Sequence, residues 1–473
     1  MNIHAFYTGG VFKSSPKTKP VYNPYTQKAI AKVCLAELKD LQESICNAQR
    51  AKIKYKALSM RERARILMQI SKAIIKQSRV LSKTLVLETA KPLYWAEREV
   101  YRCSETFALA ARFCKHYQPD SPPANWSSRS KGIQAVIEHE GIGIVFGISP
   151  FNFPLNLPAH KIAPAIAAGC PIILKPAPQT PLSALLLAKI IDKTPLPKGG
   201  LSVLPMTHRL AKTLVQDDRI SLLSFTGSAT VGWQLKTQSG KKKCILELGG
   251  NAAAVFSASA SIKNCMQEII DSGFGYSGQV CNHAQRFYIH PKHFNRFIHE
   301  VKLALKELSC GDPLLPNTRF SCMISEKEAR RVETWIKEAV QQGAKLVFGG
   351  KRKNNFMPPT LLTHTHSKMK IHSEEVFGPV ICVNPYNGSI EHAVNLVNES
   401  RYGIQASIYT RNKNELKYAF KHIETAAVLH NLPTIFRLEH MPYGGIKESG
   451  LGREGIVDAF YSYCEPKLLL SNG

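Results

Sequence analysis

Two side chains of this sequence are suited to covalent and acid–base chemistry: Cys281, in GYSGQVCNHAQR, and Glu247, in LELGGN. A thiolate is a strong nucleophile near neutral pH. Cys281 follows a glycine-containing turn between a predicted helix and a predicted strand, and Gly278 allows close approach of the backbone to a ligand. The chain holds 12 cysteines, scattered without CxxC spacing; pairs such as Cys103/Cys114 and Cys310/Cys322 are too far apart for it. No metal site is expected, and the cysteines read mostly as reduced, buried small residues. Read locally, Cys281 fits that bland role more readily than a nucleophile. Glu247 lies in a near-apolar strand ahead of Gly249 and Gly250. A buried carboxylate is costly unless paired or neutral, so it is either a structural ion pair or a general base with a raised pKa. Asn152 stands in SPFNFPLNLP, where three prolines restrict the backbone. It either caps the next helix or presents its amide to an oxyanion. FTGSATVG (225–232) reads as strand, tight turn and helix. It is not GxGxxG, although a helix N-terminus can hold a phosphate.

Together these pieces resemble the aldehyde dehydrogenase superfamily over nearly the whole chain. The matching phrases are SPFNFP (149–154), KPAPQTPLS (175–183), FTGSATVG, LELGG (246–250), GQVC (278–281), EEVFGPV (374–380) and PYGGIKESGLGREG (442–455). Their order and spacing match too, with Glu247 and Cys281 34 residues apart. The resemblance implies that the Cys281 thiolate attacks an aldehyde. Asn152 and the Cys281 N–H would hold the oxyanion, each such donor being worth roughly 3–4 kcal/mol. Hydride loss to a nicotinamide would leave a thioester, which Glu247-activated water would hydrolyse to the free acid. Members that acylate coenzyme A typically lack this glutamate, so Glu247 weighs against that alternative.

The same resemblance implies NAD or NADP as cofactor. Lys175 matches the lysine bonding the adenosine ribose, Ser228 the pyrophosphate turn, Val231 the adenine wall and Glu375 the nicotinamide ribose carboxylate. Phe377 packs beside the last. Ser149, Pro150, Phe151, Ala177, Gly227, Leu248 and Gly249 complete the expected cleft, and Lys161 matches a lysine often retained near the Asn152 loop. NAD-preferring members often carry Glu three residues after the ribose lysine. Here that residue is Pro178, which leaves NADP use open. For the substrate, Arg102, His160, Val280, Asn282, Arg437, His440 and Tyr443 are candidate tunnel positions. Arg102 and His160 also have plain readings, as a solvated helix face and a core histidine. The phrase FRLEHMPYGG is similar to members acting on lactaldehyde, succinate semialdehyde, phosphonoacetaldehyde or glyceraldehyde 3-phosphate. Arg437, helped by His160 and Arg102, would bind an anionic or hydroxylated tail.

Positioning these residues requires an α/β fold. The chain has 473 residues, too many for one core. Residues 41–118 read as helices, followed by a Pro/Ser-rich break at Gln118–Ser128 and an exposed strand at 133–140. From residue 144, strands and helices alternate: 143–149, 171–175, a helix capped by Thr180 with Pro181 first, 201–205, 208–216 and 220–225. Such alternation implies a parallel sheet with ligands beyond its carboxyl ends. A second α/β unit follows: strand 252–256, helix 261–272, strand 285–290 and helix 292–308. The expected architecture is a Rossmann-like cofactor domain (1–124 and 144–249), a catalytic α/β domain (250–440), and a small β oligomerisation element (125–143 and 456–473). The strand-like end, 461–470, has no evident internal partner, and a homodimer or homotetramer is expected. Formal charge is +27, but the Lys and Arg are dispersed, in short clusters at 241–243 and 351–353. A basic surface is expected rather than a nucleic-acid site; a non-catalytic basic nucleic-acid-binding relative is the reading from another class. No membrane span or secretory segment is read, so the cytoplasm is expected.

Overall fold

The computed structural model describes residues 1–123 and 127–472. Residues 124–126 of the Pro/Ser-rich break, and residue 473, lie outside the described residues.

Short runs of Ile, Val, Leu and Phe between Gly and Pro turns form two separate, mostly parallel sheets. In the first, the strand order is Gly450–Leu451, Lys243–Glu247, Ile220–Thr226, Ile144–Ile148, Ile172–Lys175, Leu201–Val203, Phe6–Thr8, Val11–Lys13. The five strands from Lys243–Glu247 to Leu201–Val203 run parallel, and the outer ones are antiparallel. The chain enters the parallel part at Ile144–Ile148, builds toward Leu201–Val203, then returns to the other side with Ile220–Thr226. This reversal makes the switch point beside which ligands bind in open α/β sheets. The second sheet runs Lys345–Phe348, Thr360–Thr363, Val380–Pro385, Ala284–Ile289, Ala252–Phe256, Gln405–Tyr409, Ala427–His430, parallel except at its first strand. Phe256 stacks on Tyr409 across two of its strands, with centroids 4.2 Å apart.

The predicted helical stretch resolves into Leu38–Ala57, Met60–Lys76, Ser78–Thr89 and Leu93–His116. Apolar faces such as Leu67, Ile70 and Ile74 against Val100, Cys103 and Phe107 are fully buried. The helix Asn156–Ala168, apolar but for Asn156, His160 and Lys161, is buried along its length beneath them.

Three local expectations change. Thr180 does not cap the following helix, which begins at Leu182 with Pro181 at the cap position. Its free N–H groups are met instead by the buried carboxylate of Glu88, which accepts from Leu182 N at 2.7 Å and Ser183 N at 3.0 Å. Residues 261–272 do not form one helix; a 3₁₀ turn, Lys263–Cys265, precedes the helix Met266–Phe274. The C-terminal strand does have an internal partner. Cys464–Asn472 pairs antiparallel with Ile133–Gly141 over their whole length, while Tyr461 belongs to the helix Ile456–Ser462. This ribbon leaves Leu468, Leu469 and Leu470 more than half exposed. No helix among the described residues is long and apolar enough to cross a membrane.

Candidate active site

Cys281 lies between the short 3₁₀ segment Gly275–Gly278 and the strand Ala284–Ile289. The approach is tightly coiled: Tyr276 and Ser277 have φ of 49° and 54°. Gly278 serves a different neighbour from the one expected. A Cβ there would lie 2.2 Å from the carbonyl oxygen of Gly378, so the close approach is to backbone rather than ligand. Cys281 Sγ reaches a cavity of about 370 Å³, whose walls include Phe153, Val280, Asn282, Phe436, Arg437 and Tyr443. Sγ is 3.1 Å from the Tyr443 hydroxyl. Burial pushes the Cys281 thiol up to about 11; the Tyr443 hydrogen bond and Arg437 oppose the rise, and Glu247 and Glu375 add to it.

Glu247 ends its strand at the sheet's carboxyl edge, and the chain crosses at Gly249–Gly250 to the second sheet. A side chain at Gly250 would meet the Cys281 carbonyl oxygen at 2.1 Å, and one at Gly249 would meet Glu375 at 2.3 Å. Glu247 is not a satisfied structural ion pair. Its Oε1 is buried without a hydrogen-bond partner and packs against Gly444. Burial, then the neighbouring Glu454, hold its carboxyl well above the ordinary range, against Arg437, Lys161 and Arg453.

Asn152 does not cap the helix that follows. Its Nδ2 donates to the Gln279 carbonyl at 3.0 Å, two residues before Cys281, and its Oδ1 is buried without a partner. The helix start is met by Glu99, whose Oε1 accepts from Leu155 N at 2.9 Å and Asn156 N at 3.2 Å. Glu99 is paired with Lys91, which also donates to the Asn152 carbonyl at 2.8 Å. Both side chains are wholly buried. The Asn152 loop is thus anchored by an ion pair between Glu99, on the helix Leu93–His116, and Lys91, in the link just before that helix. Sequence reading missed this pair; its signal was a glutamate on an otherwise apolar helix face.

The second missed group is a pair of acids. Glu439 accepts from His160 Nε2 at 2.6 Å, lies 3.2 Å from Arg437 Nε, and bonds Arg102. Burial would raise its carboxyl, but Arg102, His160 and Arg437 hold it well below the usual range. Glu454, inside a motif quoted above but given no role there, pairs with Lys161 at 3.1 Å and with Arg437 at 3.5 Å. Lys161 also donates to Ser224 and Thr226 at 3.0 and 2.8 Å. Arg437 therefore meets the cavity already neutralised, its guanidinium 3.8 Å above the Tyr443 ring. Arg102 lines the cavity with its side chain 30% exposed. Two expected tunnel residues do not face it. His160 sits behind Arg437 within the ion network, and His440 lines a separate groove with Arg112, His116 and Tyr461.

A second cleft lies at the carboxyl ends of the first sheet. Lys175 closes its strand, is 2% exposed, and has no partner for its ammonium among the described residues. Burial, then Lys19, lower it to about 8. Pro178, Lys19 and His208 line an adjoining pocket of about 200 Å³ that has no carboxylate in its walls. The helix Ala229–Gln238 starts at Ser228 without a side-chain cap, Val231 is 43% exposed beside it, and Ser149 Oγ is buried unpartnered. Glu375 accepts from Gly250 N at 3.0 Å; burial lifts its carboxyl to about 7, against that bond and Arg331. Phe377, at φ 44°, meets Phe151 edge-on. An unpaired cation, an uncapped helix start and an orphan hydroxyl fit a dinucleotide phosphate ester.

The model of the aldehyde dehydrogenase family matches residues 11–469. The chain belongs to the aldehyde dehydrogenase family. It is 34% identical over 473 residues, 99% of this chain and 98% of the relative, to the 3-sulfolactaldehyde dehydrogenase of Priestia megaterium. Aldehyde dehydrogenase 21 of Physcomitrella patens, solved with its reaction product succinate, superposes with a TM-score of 0.97 at 37% identity, covering 100% of this chain and 98% of that one. The glyceraldehyde-3-phosphate dehydrogenase GapN of Methanocaldococcus jannaschii, solved with NADP, gives 0.92 at 32%, covering 97% and 100%. This aldehyde dehydrogenase has the expected α/β fold and the expected class, an NAD(P)-dependent oxidoreductase.

Glu247 has a consequence for stability. In the unfolded chain it ionises near its ordinary value of 4.5, while the folded chain resists ionisation. The folded state therefore loses stability as pH climbs above that value, until the folded-state carboxyl also ionises. Glu247→Gln removes this penalty. Its Tm should exceed that of the wild type by a margin that widens from acid to neutral pH in a thermal-melt series; a margin independent of pH contradicts the burial argument.

Proposed function

We propose that this aldehyde dehydrogenase oxidises a small anionic aldehyde to its free acid through a thioester on Cys281. The observation that carries the proposal is the placing of Cys281 in a cavity walled by Arg102 and Arg437, with the unpartnered Glu247 behind it. Sγ attacks the carbonyl carbon, forming an S–C bond and moving charge to oxygen. The Asn152 amide and the Cys281 N–H are the donors for that oxygen. The bound nicotinamide, in its oxidised form, supplies the hydride acceptor. Loss of hydride from the same carbon leaves the thioester. Glu247, kept protonatable by burial and Glu454, takes a proton from water as it attacks, and the Cys281 thiolate departs.

Lys175, Ser149, Ser228, Val231 and Glu375 would hold the dinucleotide. The division into residues 1–124 and 144–249 for the cofactor and 250–440 for the nucleophile is supported by the two sheets. The ribbon formed by 125–143 and 456–473, with its exposed leucines, supports a homo-oligomer. Twelve free thiols suit the reducing cytoplasm.

Three outcomes are expected. Glu247→Gln should give a burst of reduced cofactor and then slow turnover, roughly 10²–10⁴-fold below wild type; an unchanged steady-state rate rejects the base assignment. Arg102, partly exposed and paired with one acid, is a better probe of the tail than Arg437, whose loss takes a partner from both Glu439 and Glu454. Arg102→Ala should raise KM for succinate semialdehyde ~10–100-fold while barely changing that for propanal; equal effects reject the anionic-tail reading. The Lys19, Lys175 and His208 cluster beside Pro178 favours the extra phosphate of NADP. Lys19→Ala with His208→Ala should lower kcat/KM for NADP at least ~10-fold more than for NAD; parallel losses reject that preference.

A further inference from the structure

We propose that the Tyr443 hydroxyl is a further catalytic group of this chain: a hydrogen-bond donor to the Cys281 thiolate, held in place by Arg437 over its ring and by Glu454 through the backbone. The inference rests on Cys281 being the nucleophile, as argued above, and gives Tyr443 a role other than lining the substrate cavity.

Three observations converge on it. The phenol oxygen is 3.1 Å from Sγ. A thiol at this distance can donate or accept, but a thiolate can only accept, so once Sγ ionises the phenol must donate. A bond to the charged form favours that form. Second, the phenol is not free to swing away. Tyr443 exchanges backbone hydrogen bonds with Glu454 at 2.8 and 2.7 Å, and its ring is buried with the Arg437 guanidinium 3.8 Å from its centre. Arg437 is in turn fixed between Glu439 and Glu454. Third, the surroundings of Sγ work against ionisation. Burial and the carboxyls of Glu247 and Glu375 raise the thiol; Tyr443 and Arg437 are the groups that oppose them. Arg98, Glu99, Arg102, Glu268 and Asp271 also face the cavity from its outer walls. The cation lies against the phenol ring, so it makes the O–H a stronger donor.

The test follows alkylation of Cys281 by iodoacetamide against pH in the full-length protein, with the modified residue identified by mass spectrometry. Tyr443→Phe keeps the ring beneath Arg437 and removes only the donor. Its alkylation midpoint should move up by roughly one to two pH units, since a hydrogen bond to a charged group is worth about that much in thiolate stability. Its kcat/KM profile should shift in the same sense, with KM for the aldehyde little changed. 3-Fluorotyrosine installed at position 443 keeps shape and donor and acidifies the phenol, so the midpoint should move down. Midpoints unchanged in both variants overturn the proposal and leave Cys281 as nucleophile. Undiminished aldehyde oxidation by Cys281→Ser overturns the nucleophile assignment itself, and this inference with it.

Discussion

A side chain on Gly249 or Gly250 would collide with groups that belong to the other sheet. At Gly250 the obstacle is the carbonyl oxygen of Cys281, and at Gly249 it is the carboxylate of Glu375. The strand that carries Glu247 therefore passes into the second sheet by a backbone bare enough to touch the Cys281 peptide. Everything else in the site depends on that contact. It sets Glu247 near Sγ and brings the Glu375 carboxylate against the Gly250 N–H.

Around this junction the chain buries far more charge than a folded core ordinarily tolerates. Lys91 with Glu99, Lys161 with Glu454, and Arg437 with Glu439 are all nearly inaccessible to water. Breaking such a pair costs about 3–5 kcal/mol because the survivor is left unpaired. These pairs act as rigid braces: one holds the Asn152 loop, one ties the helix Asn156–Ala168 to the C-terminal motif, and one fixes the cation above Tyr443. The exception is informative. Glu247 is buried without a partner for Oε1, and Glu454 beside it is already committed to Lys161 and Arg437. Two acids close together are thus pushed in opposite directions, Glu454 toward the charged form and Glu247 toward the neutral one. A separation of that kind marks an acid–base site.

The cleft at Lys175 and the cavity at Cys281 differ in how they treat charge. In the cleft at Lys175, that lysine is buried and without a partner among the described residues, with Lys19 and His208 near it. Such a cluster gains most from an anion that arrives from outside. In the cavity at Cys281, Arg102 and Arg437 are already paired through Glu439 and Glu454, so that part of the wall is polar and oriented yet only modestly positive. An anionic tail there meets directional donors more than net charge, which favours recognition by shape and hydrogen bonds.

The sequence by itself determined the strand–helix alternation, the switch-point location and the positions of Cys281, Glu247 and Asn152. Those features are local: apolar runs with the right period, Gly and Pro punctuation, and motifs whose spacing survives in one dimension. Tertiary structure alone decided which charges meet. Glu88 caps a helix some ninety residues away, Glu439 gathers Arg102 and His160 from two other helices, and the terminal strand folds back on residues 133–141. Nothing in the spacing of these residues encodes the pairing, because each partner reads locally as an ordinary solvated charge or packed histidine. The same holds for His160 and His440. Both adjoin motif residues in the chain, but helix phase turns His160 into the ion network behind Arg437, while the turn that carries His440 leaves it in a separate groove. Sequence could single out Cys281, Glu247 and Asn152 as the proposed nucleophile, base and oxyanion donor; only the packing of helices against the two sheets could say what surrounds them.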